Sequence, residues 1–238
     1  MCFNSTASII AFSIGFMCSS YIFIKKHFFY ALFCYSIVFM QLIEYYAHKS
    51  LTNNDKELNI QSSKMIGYLI FLQPILYSFL LMYIPPANII FLNEYRKNIF
   101  YLLLIPYISL SIIYYFYANK NNLFKIDYLN NKCKNKYICR LNWSFLNFKS
   151  NIPIFLVILY LILFINFYFK YNDIKLKTLY LFNIIIPFLL FFSLLYIIFK
   201  DKITKLNTLF SSFGSLWCFL AVAYPIVLSI YVYNNSSI

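Results

Sequence analysis

The tightest constraint on this chain is a succession of apolar runs, each about as long as a membrane-crossing helix and each ended by charge or proline. Along the 238 residues these runs fall at 7–24, 28–47, 65–84, 99–117, 153–169, 178–199 and 206–233. Lys25, Lys26 and His27 close the first, His48 and Lys49 the second, and Pro85-Pro86 the third. Arg96-Lys97 precede the fourth, and Lys170, Lys177, Lys200 and Lys205 bound the later ones. The runs are apolar on all sides instead of alternating, which selects helices over barrel strands. Composition agrees: only 11% of the residues are charged, against about 25% in a soluble domain. The expected fold is all-α, an integral membrane bundle of about seven transmembrane helices forming one polytopic domain over 1–238. The last run is longer than a bilayer needs, so it should tilt, kink at Pro225 or protrude.

Met1-Cys2-Phe3-Asn4 shows no basic region and no small-residue cleavage pattern, so the first span is expected to be retained. The one sizeable extramembrane segment is 118–152, with seven Lys/Arg and one Asp. Loops on the N-terminal side hold thirteen Lys/Arg against seven opposite, which places the N-terminus in the cytosol by the positive-inside rule. The net charge of +13 reads as lysines snorkelling from span ends to anionic lipid headgroups, above all at the 118–152 loop. Tyr128, Tyr137, Trp143, Phe145 and Phe148 interleave with those lysines. They are expected to dip into the interface, with Trp143 as an anchor, and no nucleic-acid partner is expected.

Cysteine and histidine usage narrows the chemistry. Cys18, Cys34 and Cys218 lie in spans and read as small apolar residues. Cys133 and Cys139 share the basic loop, but neither histidine is there to complete a zinc site. His27 and His48 flank opposite ends of the second span, about 30 Å apart, so they cannot ligate one haem or metal within a protomer. No lysine lies inside a span to form a Schiff base, and no metal or cofactor is expected. The chain carries four glycosylation sequons, but its Asn-rich composition generates such motifs by chance.

Glu44 is the one acidic residue inside an expected span, and an intramembrane carboxylate is a functional candidate. With Cys34, Gln41 and His48 it falls within about 80° of one helix face. Gln41, Glu44 and His48 are spaced three and four apart, so neighbours can touch. The plain reading is a carboxylate reaching interfacial water or capped by His48; the sharper one is a proton- or cation-binding pocket. Gln73 is placed at a similar depth on the next span, with Pro74 behind it to free a backbone carbonyl. Asn166 and Asn183 read as an interhelical pair. Small residues line one face of the first span (Ser8, Ala11, Gly15, Cys18) and of the last (Ser211, Ser215, Cys218, Ala221). Such stripes let helices approach closely, so these two spans are expected to pack on neighbours there. Pro74–Ile84 and Pro187–Ile197 agree at six of eleven positions, as partners in an inverted three-plus-three repeat would.

Cys2-Phe3-Asn4, the segment Met40–Tyr45, Gln73-Pro74 and Gly214-Ser215-Leu216-Trp217-Cys218 together resemble an uncharacterised multi-pass membrane family of large DNA viruses and some protists. The resemblance implies no activity and carries over no functional residue. The leading expectation is a non-enzymatic membrane protein whose polar pocket, built from Gln41, Glu44, His48 and Gln73, binds or moves a small solute, a proton or a lipid. A structural or membrane-remodelling protein is the second class. A membrane-embedded lipid-modifying enzyme is the third, disfavoured by the shortage of His and Asp.

Overall fold

The computed structural model describes residues 5–86, 89–91, 93–128, 141–146, 155–156, 159–160, 162–163, 169–171 and 222–235. Four long helices dominate: α1 Ser5–Ile24, α2 Phe28–Thr52, α3 Lys56–Tyr83 and α4 Glu94–Lys120. Each is long and apolar enough to cross a membrane. A shorter helix, α5, runs Ala223–Asn235. Strand β1 (Ile89–Phe91) pairs antiparallel with β4 (Phe169–Tyr171), and β2 (Ile126–Tyr128) pairs antiparallel with β3 (Leu141–Trp143). The spans expected at 178–199 and in the first part of 206–233 lie outside the described residues. Within 153–169, positions 155–156, 159–160 and 162–163 are helical.

The helices outrun the apolar runs that announced them. Hydropathy marks the length that suits hydrocarbon, whereas local capping decides where a helix starts. Asp55 accepts a hydrogen bond from the Leu58 amide at 3.0 Å and starts α3 nine residues before the apolar run at 65. Asn93 does the same for α4 through the Arg96 amide at 2.9 Å. Glu57 and Glu94 sit in the first turns, where the helix dipole favours them. At 1.5 Å per residue, α3 and α4 are about 40 Å long, so each projects beyond a hydrocarbon layer of about 30 Å.

The helix stops do without glycine. Lys26, Asn54 and Asn122 each take a left-handed conformation (φ of 64°, 54° and 52°) just past a helix end. After α4 the Leu123 amide returns to the Ala118 carbonyl at 2.9 Å and the Asn122 amide to Asn119 at 3.2 Å. After α1 the His27 amide reaches Ile22 and the Lys26 amide reaches Phe23. Both are Schellman closures. Pro225 falls in the first turn of α5, following a turn at Val222. There its missing N–H costs nothing, so it lies near a helix start instead of kinking a helix interior.

Helix α2 is the hub of the bundle, packed against α1, α3 and α5. The small stripe of α1 is buried at Ser8, Ala11 and Gly15, while Cys18 is half-buried. A methyl group on Gly15 would meet Val38 Cγ2 at 2.7 Å and Val222 Cγ1 at 3.4 Å. The stripe therefore seats α1 against α2 and the turn leading into α5. The matching positions Ser211, Ser215, Cys218 and Ala221 lie outside the described residues, as do Cys133, Cys139, Asn166, Asn183 and the segment 187–197.

Two of the loop aromatics pack inside the protein. Trp143 and Phe145 are fully buried, their rings stacked 6.2 Å apart. Phe145 packs on Phe71 and Phe124, and its carbonyl accepts a hydrogen bond from Tyr114. Gly67 makes room: a methyl group there would lie 2.8 Å from the Phe124 ring. In the hairpin Ile126, Tyr128, Leu141 and Trp143 share one face by strand alternation, and that face is turned to the helices. Apolar contact with the bundle buries these rings more fully than a headgroup layer could, so the hairpin caps one end of α2, α3 and α4. Tyr137 and Phe148 lie outside the described residues.

Candidate functional site

Two contacts set the register between α2 and α3. The Gln73 amide donates to the Ser36 carbonyl at 3.5 Å, and the Asn59 amide donates to Ser50 Oγ at 3.3 Å. Going fourteen residues along α3 thus goes fourteen back along α2, as antiparallel helices require. The Phe29 and Phe33 rings against Tyr77 fall in the same register.

Gln41, Glu44 and His48 are all buried, at 0%, 0% and 2% exposure. Turning about 100° per residue, their shared face lies between the Ser36 line, which meets α3, and the Val38 line, which meets α1. Cys34, also fully buried, completes that face. Neither amide atom of Gln41 nor His48 Nε2 has a hydrogen-bond partner among the described residues. The register sets Ser63 of α3 level with the stretch between Glu44 and His48. Its hydroxyl is buried and likewise unpartnered among the described residues.

The buried Ser8 and Ser111 hydroxyls and the Trp143 indole N–H share that state among the described residues, whereas five other serines are satisfied within their own helices. Ser13, Ser19, Ser36, Ser50 and Ser78 each donate to a carbonyl three or four residues back in their own helix. Those back-bonds satisfy a hydroxyl without help from a neighbouring helix. Ser63 could be satisfied in the same way and is not.

The hairpin closes the His48 end of this group. The His48 and Tyr128 rings lie 6.1 Å apart. Asn59 fastens the hairpin to α3: its Nδ2 donates to the Ile126 carbonyl at 2.8 Å, and its Oδ1 accepts the Ile126 amide at 3.0 Å. A side-chain amide here replaces a neighbouring strand, satisfying both backbone groups of a residue at the sheet edge.

Gln73 belongs elsewhere. It sits level with Ser36, about 12 Å along the helix axis from Glu44, and its Oε1 accepts the Tyr160 hydroxyl at 2.6 Å. Beside it, Pro74 leaves the Ile70 carbonyl without its helical donor, and Tyr107 donates to the adjacent Phe71 carbonyl at 3.2 Å. This second cluster ties α3 to α4 and to the helical segment at Tyr160. The structure therefore joins Gln41, Glu44 and His48, and separates Gln73 from them. Depths counted from the apolar boundaries placed Gln73 too near, because α3 begins at Lys56, well before its apolar run.

His27 stands in the turn at the opposite end of α2, its ring 6.4 Å from Tyr30, and partial burial lowers its pKa below the ordinary 6.5. Among the described residues, no three His, Cys, Asp or Glu side chains gather closely enough to hold a metal ion. Sequence reasoning passed over Ser63, Asn59 and the capping role of Tyr128 and Trp143. The first two could have been found by running the Gln41–His48 stretch antiparallel against α3 from the Asp55 cap. Comparison with protein-family models, with curated proteins and with solved structures finds no match to this chain.

Proposed function

We propose that this chain is a multi-pass membrane protein of about seven spans that binds, and moves, a proton or small polar solute at the buried Gln41–Glu44–His48–Ser63 cluster. One observation carries the reading: Gln41, His48 and Ser63 hold buried polar atoms with no hydrogen-bond partner among the described residues. A buried group in that state costs about 1–3 kcal/mol, and a bound polar ligand would offset it. Glu44 supplies a carboxyl able to hold a proton, and His48 and Gln41 supply a donor or acceptor on either side of it. The pairing of β1 with β4 supports the expected topology, since it brings 89–91 and 169–171 to one end of the bundle, as one crossing on each side of the basic loop requires. An N-terminus in the cytosol, and membership of the viral and protist membrane family, belong to the same reading.

The test is flux in liposomes. Full-length protein reconstituted with a pH-sensitive dye inside is expected to pass protons, or a small amide or amino solute, and Glu44→Gln to abolish the passage. If wild type and Glu44→Gln behave alike across both kinds of probe, the reading fails. The scaffold alternative draws on the Gln73 cluster, whose hydrogen bonds are spent on joining helices. It expects no flux from any form and full folding of Glu44→Gln.

A further inference from the structure

We propose that the groove between α3 and α4 lined by Ile60, Lys64, Asn119, Asn122, Phe124 and Lys125 binds the phosphate headgroup of an anionic membrane lipid. The cavity is about 200 Å³, room for roughly six waters' worth of liquid volume. Its four polar side chains come from two pieces of chain, α3 and the end of α4 with the turn that follows it, and none of them hydrogen-bonds or ion-pairs with another among the described residues. The nearest acid on α3, Glu57, lies two turns from Lys64 and accepts from Gln61 at 3.2 Å. Even with Asp127 counted, Lys64, Lys120 and Lys125 leave this end of the bundle positive.

The groove floor is built, not incidental. Phe124 is buried against Gly67 and lies 5.1 Å from the Tyr115 ring. The Schellman closure of α4 holds Asn122 in its left-handed conformation and aims the chain back over that floor. The α4 C-terminus itself disfavours an anion, so the attraction has to come from Lys64 and Lys125.

Depth selects a lipid over a soluble anion. The apolar part of α3 begins directly after Lys64 and runs to Tyr83, about 28 Å, which matches the hydrocarbon thickness. On α4 the apolar run ends just before Asn119. The groove therefore opens at headgroup level. One turn deeper, Tyr68 and Phe116 are exposed at 54% and 68%, an apolar surface on which an acyl chain can lie.

Full-length protein is reconstituted into phosphatidylcholine nanodiscs with a minority of phosphatidic acid, and retained lipid is counted by native mass spectrometry. Wild type should retain phosphatidic acid in preference to phosphatidylcholine. Lys64→Ala/Lys125→Ala should weaken retention about tenfold or more. Lys56→Ala/Lys120→Ala, with the same charge loss outside the groove, should stay within about twofold. The charge-preserving Lys64→Arg/Lys125→Arg should keep the lipid, separating a lost site from a lost fold. Equal loss in both alanine pairs, or no loss in either, overturns the proposal. Displacement of the lipid by millimolar inorganic phosphate overturns it in favour of a soluble anion.

Discussion

Two buried glutamines in this bundle should respond to the same substitution with opposite signs. Gln41 is fully buried and its amide has no hydrogen-bond partner among the described residues; Gln73 is 5% exposed and its amide is engaged at both ends. Methionine matches glutamine in length and adapts to irregular spaces, so the change in packing is small at either site. In Gln41→Met the relief of an unpartnered amide, about 1–3 kcal/mol, outweighs any repacking cost, for a net gain of about 1–2 kcal/mol. In Gln73→Met the hydrogen bonds that the Gln73 amide makes with the Tyr160 hydroxyl and the Ser36 carbonyl are lost. Hydrogen bonds between membrane helices average about 0.6 kcal/mol and reach about 1.7, so the loss is about 1–2 kcal/mol. At about 2–4 °C per kcal/mol for a chain of this size, the two variants should melt about 4–16 °C apart, on either side of wild type. Thermal unfolding of the purified full-length protein in one detergent measures this directly. If Gln41→Met falls as far as Gln73→Met, the Gln41 amide is engaged and the argument for a ligand at Glu44 loses its support. A stabilised Gln41→Met that has also lost flux would mark the site as one where function is held against stability.

Other perturbations test the packing that frames the site. Gly15→Ala forces a methyl group to within 2.7 Å of Val38 and should cost about 1–3 kcal/mol, with Val38→Ala restoring most of it in a double-mutant cycle read by thermal melts. Gly67→Ala should expel Phe124 and loosen the hairpin; in a Trp217→Phe background the emission of Trp143 should shift to the red and become open to iodide quenching. Asn59→Leu removes both bonds to Ile126 and should speed hydrogen exchange at the Ile126 amide by about tenfold or more, leaving α2 amides unchanged. Lys26→Gly relieves a left-handed lysine and should stabilise the protein by about 1 kcal/mol, measured by the same melts.

The helices were legible wherever hydrophobicity alone decides. The turn at 25–27 fell where its lysines and histidine placed it, and the face shared by Gln41, Glu44 and His48 emerged from spacing, because a helix wheel needs only one helix. What escaped is whatever depends on two segments meeting. The polar first turns of α3 look like loop to a hydropathy window, although Asp55 caps them and Glu57 with Gln61 braces them. Missing those turns misplaced Gln73 by several residues against α2. Trp143 is ambiguous by composition, since aromatics interleaved with lysines suit a headgroup layer as well as a core. Only Gly67, 76 positions earlier in the chain, opens the hollow that decides its neighbour Phe124 and with it the hairpin.

The bond between Asn59 and Ile126 has a consequence for how the protein is made. The two residues are 67 positions apart, so α2 and α3 leave the ribosome well before the segment that covers them. At about 5–20 residues per second, that interval is about 3–13 s. For that time Gln41, Glu44, His48 and Ser63 line a helical hairpin whose cap has not been synthesised. The nascent chain must either keep those groups near water or lend them to the insertion machinery, and slowing synthesis between residues 59 and 141 should lengthen the period in which the half-built protein is open to quality control.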